Sequence, residues 1–183
     1  MKYVAKTRIL GARQFRPKDA RDVASWMSVT PEGLFMVSSS LKFPVTSKAL
    51  VKRFTAARSG EHAFYSVFLL ETGEHVGHFE IKNISARHRS GTGAHIILAP
   101  SWRGRGLGKD LARLVSGTAF GVLKLYRVGL SVHTVNKPAI AAYKKAGYAV
   151  EGVIREVLNF GGKRYSLYQM SILRPEWEKR KRC

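Results

Sequence analysis

The sequence predicts an α/β fold, a mixed sheet flanked by helices, on three observations. Segments with strand-like and helix-like apolar spacing alternate along the chain, no repeat or linker divides it, and one glycine-rich turn joins an apolar strand to an amphipathic helix. At 183 residues, with 45% apolar and 24% charged side chains, the chain is long enough to bury one core without disulfides and is balanced as a globular protein. A single domain over residues 1–183 is therefore expected, with basic ends (1–8 and 174–183) expected to be flexible.

The elements follow in order. Residues 8–16 (RILGARQFR) have strand character, and Pro17 to Met27 a helical stripe of Ala20, Val23, Ala24 and Met27. Thr30 to Ser40 is serine-rich and predicts a turn-prone stretch; PVTSKALVKRF then predicts a short helix capped by Thr46 or Ser47. Three strands are expected over 63–71, 75–84 and 92–100, with Thr72-Gly73-Glu74 turning the first hairpin and SARHRSG forming a loop before the third strand. A long helix is expected from about Gly106 to Val122, a strand over 127–134, and a helix from Asn136 to Lys145, with Asn136 suited to the N-cap and Gly147 to the C-terminal stop. A closing hairpin runs across Gly161-Gly162.

Charge and cysteine usage bound the partners. With 32 Lys+Arg against 12 Asp+Glu the formal net charge is +20, which attracts anions and leaves RNA or ribosome association open. The lone Cys183 has no internal partner, no Cys/His cluster has zinc spacing, and no apolar run reaches membrane-spanning length, so a reducing, cytoplasmic setting and no metal are expected.

The chemistry lies in APSWRGRGLGKDL. Gly104, Gly106 and Gly108 let backbone amides approach an anion, the helix start adds its dipole, and Arg103, Arg105 and Lys109 add charge. A nucleotide-binding P-loop would need Ser or Thr after Gly108-Lys109, where Asp110 stands, and a dinucleotide fingerprint would need an acid about 20 residues on, where YRVGLSVHT has none.

The loop Arg103-Gly104-Arg105-Gly106-Leu107-Gly108 resembles the signature of the GNAT acyltransferases, and NKPAIAAYKKAGY resembles that family's Asn-to-Tyr helix at the family's spacing. RQFRPKDARDVASWM looks like the family's first strand and helix, and the closing hairpin is similar to that of the branch acting on ribosomal-protein N-termini. The resemblance implies a mostly antiparallel twisted sheet of six to seven strands with about four helices, acetyl-CoA as co-substrate, and transfer to a primary amine, first of all a protein N-terminus. A small-molecule amine acceptor, or a non-enzymatic RNA- or ribosome-associated module, are the alternatives. It further implies that the backbone of Arg103, Gly104, Arg105, Gly106, Leu107 and Gly108 holds the pyrophosphate. Ile96, Ile97 and Leu98 would line the pantetheine arm in a splay beside RVGLSVHT, and Asn136 would contact the arm from the other side.

Amine acetylation needs a neutral amine, a polarised thioester and a proton for the leaving thiolate. Tyr143, seven residues after Asn136, stands where the resemblance implies a hydroxyl near the thioester sulfur, which makes it the candidate acid. For the base, the related branch often has Glu before the loop, but TGAHIIL offers His95; Glu80 is the rival, although His78, Glu80 and Lys82 alternate like an ordinary solvated strand face. Glu151 and Glu156 are further candidates for holding a substrate amine, with structural roles favoured for both.

Overall fold

The computed structural model describes residues 2–57 and 60–181; the reading of Cys183 lies outside the described residues. One eight-stranded sheet runs through the molecule in the order β1-β2-β3-β4-β5-β6-β8-β7. Its strands are β1 (Ala5–Lys6), β2 (Leu10–Gln14), β3 (Ala63–Leu69), β4 (His75–Ser85), β5 (Ser90–Leu98), β6 (Arg127–His133), β7 (Ala149–Phe160) and β8 (Lys163–Leu173). Every pairing is antiparallel except that of β5 with β6. The helices are α1 (Ala20–Met27), α2 (Pro31–Val37), α3 (Ser47–Ala56), α4 (Gly108–Gly117), α5 (Lys137–Ala146) and α6 (Arg174–Lys181). This is the expected mixed, mostly antiparallel sheet, with one strand and two helices more than expected among the described residues.

Both additional helices carry local signals. α2 lies inside the stretch expected to be turn-prone: Thr30 accepts from Gly33 N at 2.9 Å as N-cap and Pro31 opens the first turn, where a missing N–H costs nothing. α6 occupies the basic C-terminal end, and its Trp177 ring lies 5.3 Å from Phe120, which ties that end to the body. The long helix is shorter than its apolar stripe suggests, because α4 gives way at Thr118–Val122 to a π-helical turn. Asn136 and Gly147 bound α5 as the sequence indicates, Gly147 at φ 105° in the left-handed region.

Two cores form on the two faces of the sheet. Leu111, Leu114, Val115 and Phe120 pack from the α4 side against Phe79, Ile81, Val128 and Ile172. On the other face α1, α2 and α3 bury Val23, Met27, Leu34 and Leu50 against Phe15, Phe64 and Ile97. That second layer corrects the reading of His78 and Glu80 as solvated: the polar alternation of β4 lies beneath these helices, leaving His78 2% and Glu80 0% exposed.

A buried ion pair fastens the second layer. Arg13 on β2 grips Asp19 through two bonds of 2.7 and 2.6 Å, Ser66 Oγ donates to Asp19 at 2.7 Å, and Arg16 N donates at 2.8 Å. Burial alone would raise the Asp19 carboxyl, but hydrogen bonds from Arg13, Ser66 and the Arg16 backbone outweigh it and hold it below its ordinary value of 3.8. Asp19→Ala strands the Arg13 guanidinium in the core and is expected to cost about 3–5 kcal/mol in urea denaturation. In the wild type the carboxyl's folded value is depressed, so its contribution is full above its ordinary value and fades as pH falls below it; the Asp19→Ala protein should lose that acid-side decline.

Candidate functional site

The site grows from a break in the sheet. β5 and β6 pair in parallel only at Ser90↔Arg127, Gly91↔Val128 and Thr92↔Gly129, and beyond these residues they diverge. β6 stays fixed by seven pairs with β8, and β5 by β4, so the gap is held open from both sides. Ala99 N donates to Val76 O at 2.8 Å and Ile97 lies opposite His78, so strand alternation turns the backbone of Ile96 and Leu98 toward the gap. The backbone of Ile97 therefore belongs to β4, which narrows the expected arm-facing set to Ile96 and Leu98. The register also slips between His78 and Glu80, a bulge that places His95 at φ 45°.

At the mouth of the gap the glycine loop turns into α4. Gly104 (φ 74°) and Gly106 (φ 82°) adopt left-handed conformations, and a Cβ on either would meet nothing within 4 Å, so the backbone at both borders open space. α4 begins without a side-chain cap, leaving first-turn N–H groups for an anion. Gly108 also serves packing: its Cβ would stand 3.1 Å from Ala142 Cβ, so the glycine permits close approach of α4 to α5. Arg103 is turned inward, its Nε donating to Leu98 O at 3.1 Å, while the Arg105 guanidinium stacks 4.7 Å from the Trp102 ring.

Two cavities meet along the gap. The outer groove, about 480 Å³, runs from Arg103, Gly104 and Gly106 past Leu98 to Asn136 and Tyr143. The inner cavity, about 280 Å³, is walled by Ser38 to Ser40, Lys82, His95, Ser131 and His133. Met36, Val37, Ile96, Asn136, Ala139 and Tyr143 line both, so these six residues mark the junction. Asn136 Oδ1 accepts from Ala139 N at 3.2 Å as the helix cap, which leaves its amide NH2 for a ligand. Burial pushes the Tyr143 phenol up from its ordinary value, so it stays protonated and able to donate.

Behind His95 lies a carboxylate ringed by donors. Glu80 Oε1 meets His95 Nδ1 at 2.7 Å, and Oε2 meets His62 Nε2 at 2.7 Å and Arg53 at 3.1 Å, with His78 Nε2 at 3.6 Å. Burial alone would raise Glu80; the imidazoles of His62, His78 and His95 outweigh it and hold the carboxyl well below the usual range. A carboxylate can only accept, so His95 carries its proton on Nδ1 and Nε2 is left as an acceptor. The two base candidates from the sequence thus form one hydrogen-bonded unit. Glu151 lies elsewhere, held by Arg127 and Ser171 Oγ at about pKa 2, while Glu156 is exposed and lines neither cavity.

Sequence reasoning missed His62, His133 and the α2 wall. His133 makes edge contact with Phe35 of α2 at 4.8 Å, both lining the inner cavity, and Phe35 is backed by the rings of Phe160 and Tyr165 of the final hairpin. The capping signal Thr30-Pro31 could have revealed α2; nothing local marks His62 or His133.

Comparison with known proteins gives a family and relatives. Residues 32–148 match the model of the "Acetyltransferase (GNAT) family". Over 105 residues the chain is 32% identical to the spermidine N(1)-acetyltransferase of Escherichia coli K12, covering 57% of this chain and 56% of that protein. It is 33% identical over 96 residues to the L-amino acid N-acetyltransferase AaaT of the same organism, covering 52% and 54%. The match thus spans little more than half the length of these curated relatives. Among solved structures, the spermidine N-acetyltransferase of Vibrio cholerae in complex with CoA and spermine superposes with a TM-score of 0.81 over 92% of this chain and 98% of that one, at 20% identity, a likeness of fold.

The loop geometry generates a contrast between glycines. Alanine at Gly104 and Gly106 together meets no neighbour but disfavours the left-handed backbone by about 1–2 kcal/mol per residue, so the amide array should relax, lowering CoA affinity in calorimetry while the circular dichroism spectrum persists. Gly108→Val should instead lower the melting temperature by forcing α4 from Ala142. Unchanged CoA affinity in the Gly104/Gly106 double variant would remove the loop from the binding site.

Proposed function

Because the chain belongs to the acetyltransferase (GNAT) family, we propose that it transfers the acetyl group of acetyl-CoA to the primary amine of a small molecule. The observation that carries this reading is the junction: the groove with the anion cradle and the inner cavity share Ile96, Asn136 and Tyr143. A long polar thioester and a compact amine can therefore meet at one point. The fit of the groove is supported by the open left-handed glycines, the uncapped α4 start and the lack of a β6 strand partner opposite Ile96 and Leu98.

The sequence resemblance to the branch acting on ribosomal-protein N-termini gives way here, since the relatives reported above are named for spermidine and L-amino acids. A cavity of about 280 Å³ suits a small acceptor. The net charge of +20 also favours the anionic co-substrate, so it does not require an RNA or ribosome partner.

Acetyl-CoA supplies an activated acyl group on a thiolate leaving group. The chain's own residues supply position and protons. The glycine loop and α4 hold the diphosphate, the backbone of Ile96 and Leu98 with the Asn136 amide orients the arm, and the acceptor lies against His95 and Ser131. His95 Nε2 takes the ammonium proton, with Glu80 fixing the tautomer and stabilising the imidazolium that results. Tyr143, kept protonated by burial, delivers a proton to the departing sulfur.

Tyr143→Phe keeps the ring and its 5.6 Å contact with Tyr148. It should therefore retain acetyl-CoA affinity while kcat falls roughly 10²–10⁴-fold, the usual contribution of a positioned acid; full turnover would assign the residue to packing. Glu80→Gln should move the pH–rate profile of the free enzyme, because the base loses its anionic partner. A Glu80→Gln profile identical to wild type in shape, with only the overall stability lowered, would reduce the cluster to a structural one.

A further inference from the structure

The inner cavity is specific in its charge. Its walls include no carboxylate among the described residues; the polar side chains are the hydroxyls of serines, Thr92 and Tyr143, the Asn136 amide, two imidazoles and the Lys82 ammonium. The nearest acid on the same strand, Glu80, is fully buried and already bonded to His62, His95 and Arg53. Lys82 lies on β4 opposite Thr92, half-buried, with no carboxylate within ion-pair distance among the described residues. The cavity thus holds one uncompensated positive charge at the end remote from the glycine loop.

A cation in such a place selects. A polyamine keeps an ammonium at its far end after one nitrogen is readied for transfer, and that charge would face Lys82 with nothing to neutralise it, where partial burial weakens screening. An acceptor with a carboxylate or other anionic group would instead complete the ion pair that Lys82 lacks, with serine hydroxyls ready to donate to the same oxygens. His133 adds no competing charge, since burial lowers its affinity for a proton.

Resting on the reading of the chain as an amine acetyltransferase, we propose that its acceptor is an amine that also carries an anionic group, of the amino-acid type, with Lys82 holding the anion and the junction receiving the amine. The cavity length then acts as a ruler between the Lys82 ammonium and the site of transfer.

The test measures steady-state kinetics of the full chain with acetyl-CoA and a panel of L-amino acids, their methyl esters, and spermidine. Free acids should outperform their esters, and both should outperform spermidine. Lys82→Gln should raise KM for the free acids about 10–100-fold, as loss of a charge-assisted bond implies, with kcat and the KM for acetyl-CoA nearly unchanged; Lys82→Glu should shift preference toward spermidine. Equal use of acids and esters, or spermidine as the best wild-type acceptor, overturns the proposal while leaving acetyl transfer intact. No transfer to any amine by protein that binds acetyl-CoA overturns the activity itself, and this proposal with it.

Discussion

The parting of β5 from β6 after Thr92 and Gly129 is the constraint on which the other features depend. Adjacent parallel strands ordinarily satisfy one another's amides, and leaving such a row unpaired inside a protein costs free energy for each group. Here the cost is tolerated because both strands are secured on their outer sides, β6 by β8 and β5 by β4. The core beneath keeps them from closing, with Leu111 and Val115 of α4 packed below the sheet. The gap is therefore a rigid slot edged by peptide groups, suited to a ligand rich in amides. The glycine loop stands at its outer end because β5 delivers the chain there directly, and Asn136 faces it because β6 runs into α5.

The same layering explains the histidine-ringed carboxylate. Covering β4 with α1 and α3 removes Glu80 from water, and a lone buried carboxylate would be too costly to remain ionised. Hydrogen bonds from Arg53 of α3, His62 before β3 and His95 of β5 keep it charged, and one of these donors, His95, is turned into the cavity by the bulge in β5. Arg13 and Asp19 solve the equivalent problem nearby with a bidentate pair. The two clusters differ in consequence: the Arg13 pair is closed on itself, whereas the Glu80 cluster leaves one imidazole nitrogen for chemistry.

Legibility in the sequence followed the range of the signals. The glycine loop, the Asn136 cap and the Gly147 stop are local, depending on residues a few positions apart, and all three were readable. α2 was hidden because it is only seven residues long, includes Gly33 and runs straight into Ser38 to Ser40, although Thr30 and Pro31 announce it. The burial of Glu80 was not readable: His78, Glu80 and Lys82 form the same polar alternation whether the face meets water or helices, and what covers it is decided by α1 and α3, which lie outside the strand. The lining of the inner cavity was unreadable for the same reason, since Ser38 comes from the end of α2, Lys82 from β4, and Ser131 and His133 from β6. Gly108 has a packing role that the loop motif does not announce, because its missing Cβ lets α4 approach Ala142 of α5, a residue more than thirty positions away.

Net charge and acceptor choice act at different distances. The excess of +20 is spread over the chain and is screened beyond about 8 Å at physiological ionic strength, so it governs encounter and favours anions of any kind. Selection at the point of transfer depends on groups closer than that, and there the structure offers Lys82, with no carboxylate at ion-pair distance among the described residues, and Glu80 fully bonded. For the inner cavity to suit a polycation, an acid would have to face it; among the described residues none lines it, and Glu80 behind His95 is already bonded to His62, His95 and Arg53. The far field and the near field therefore have the same sign, and a ligand with anionic character is favoured at both ends of the slot, by the helix terminus and glycine amides at one and by Lys82 at the other.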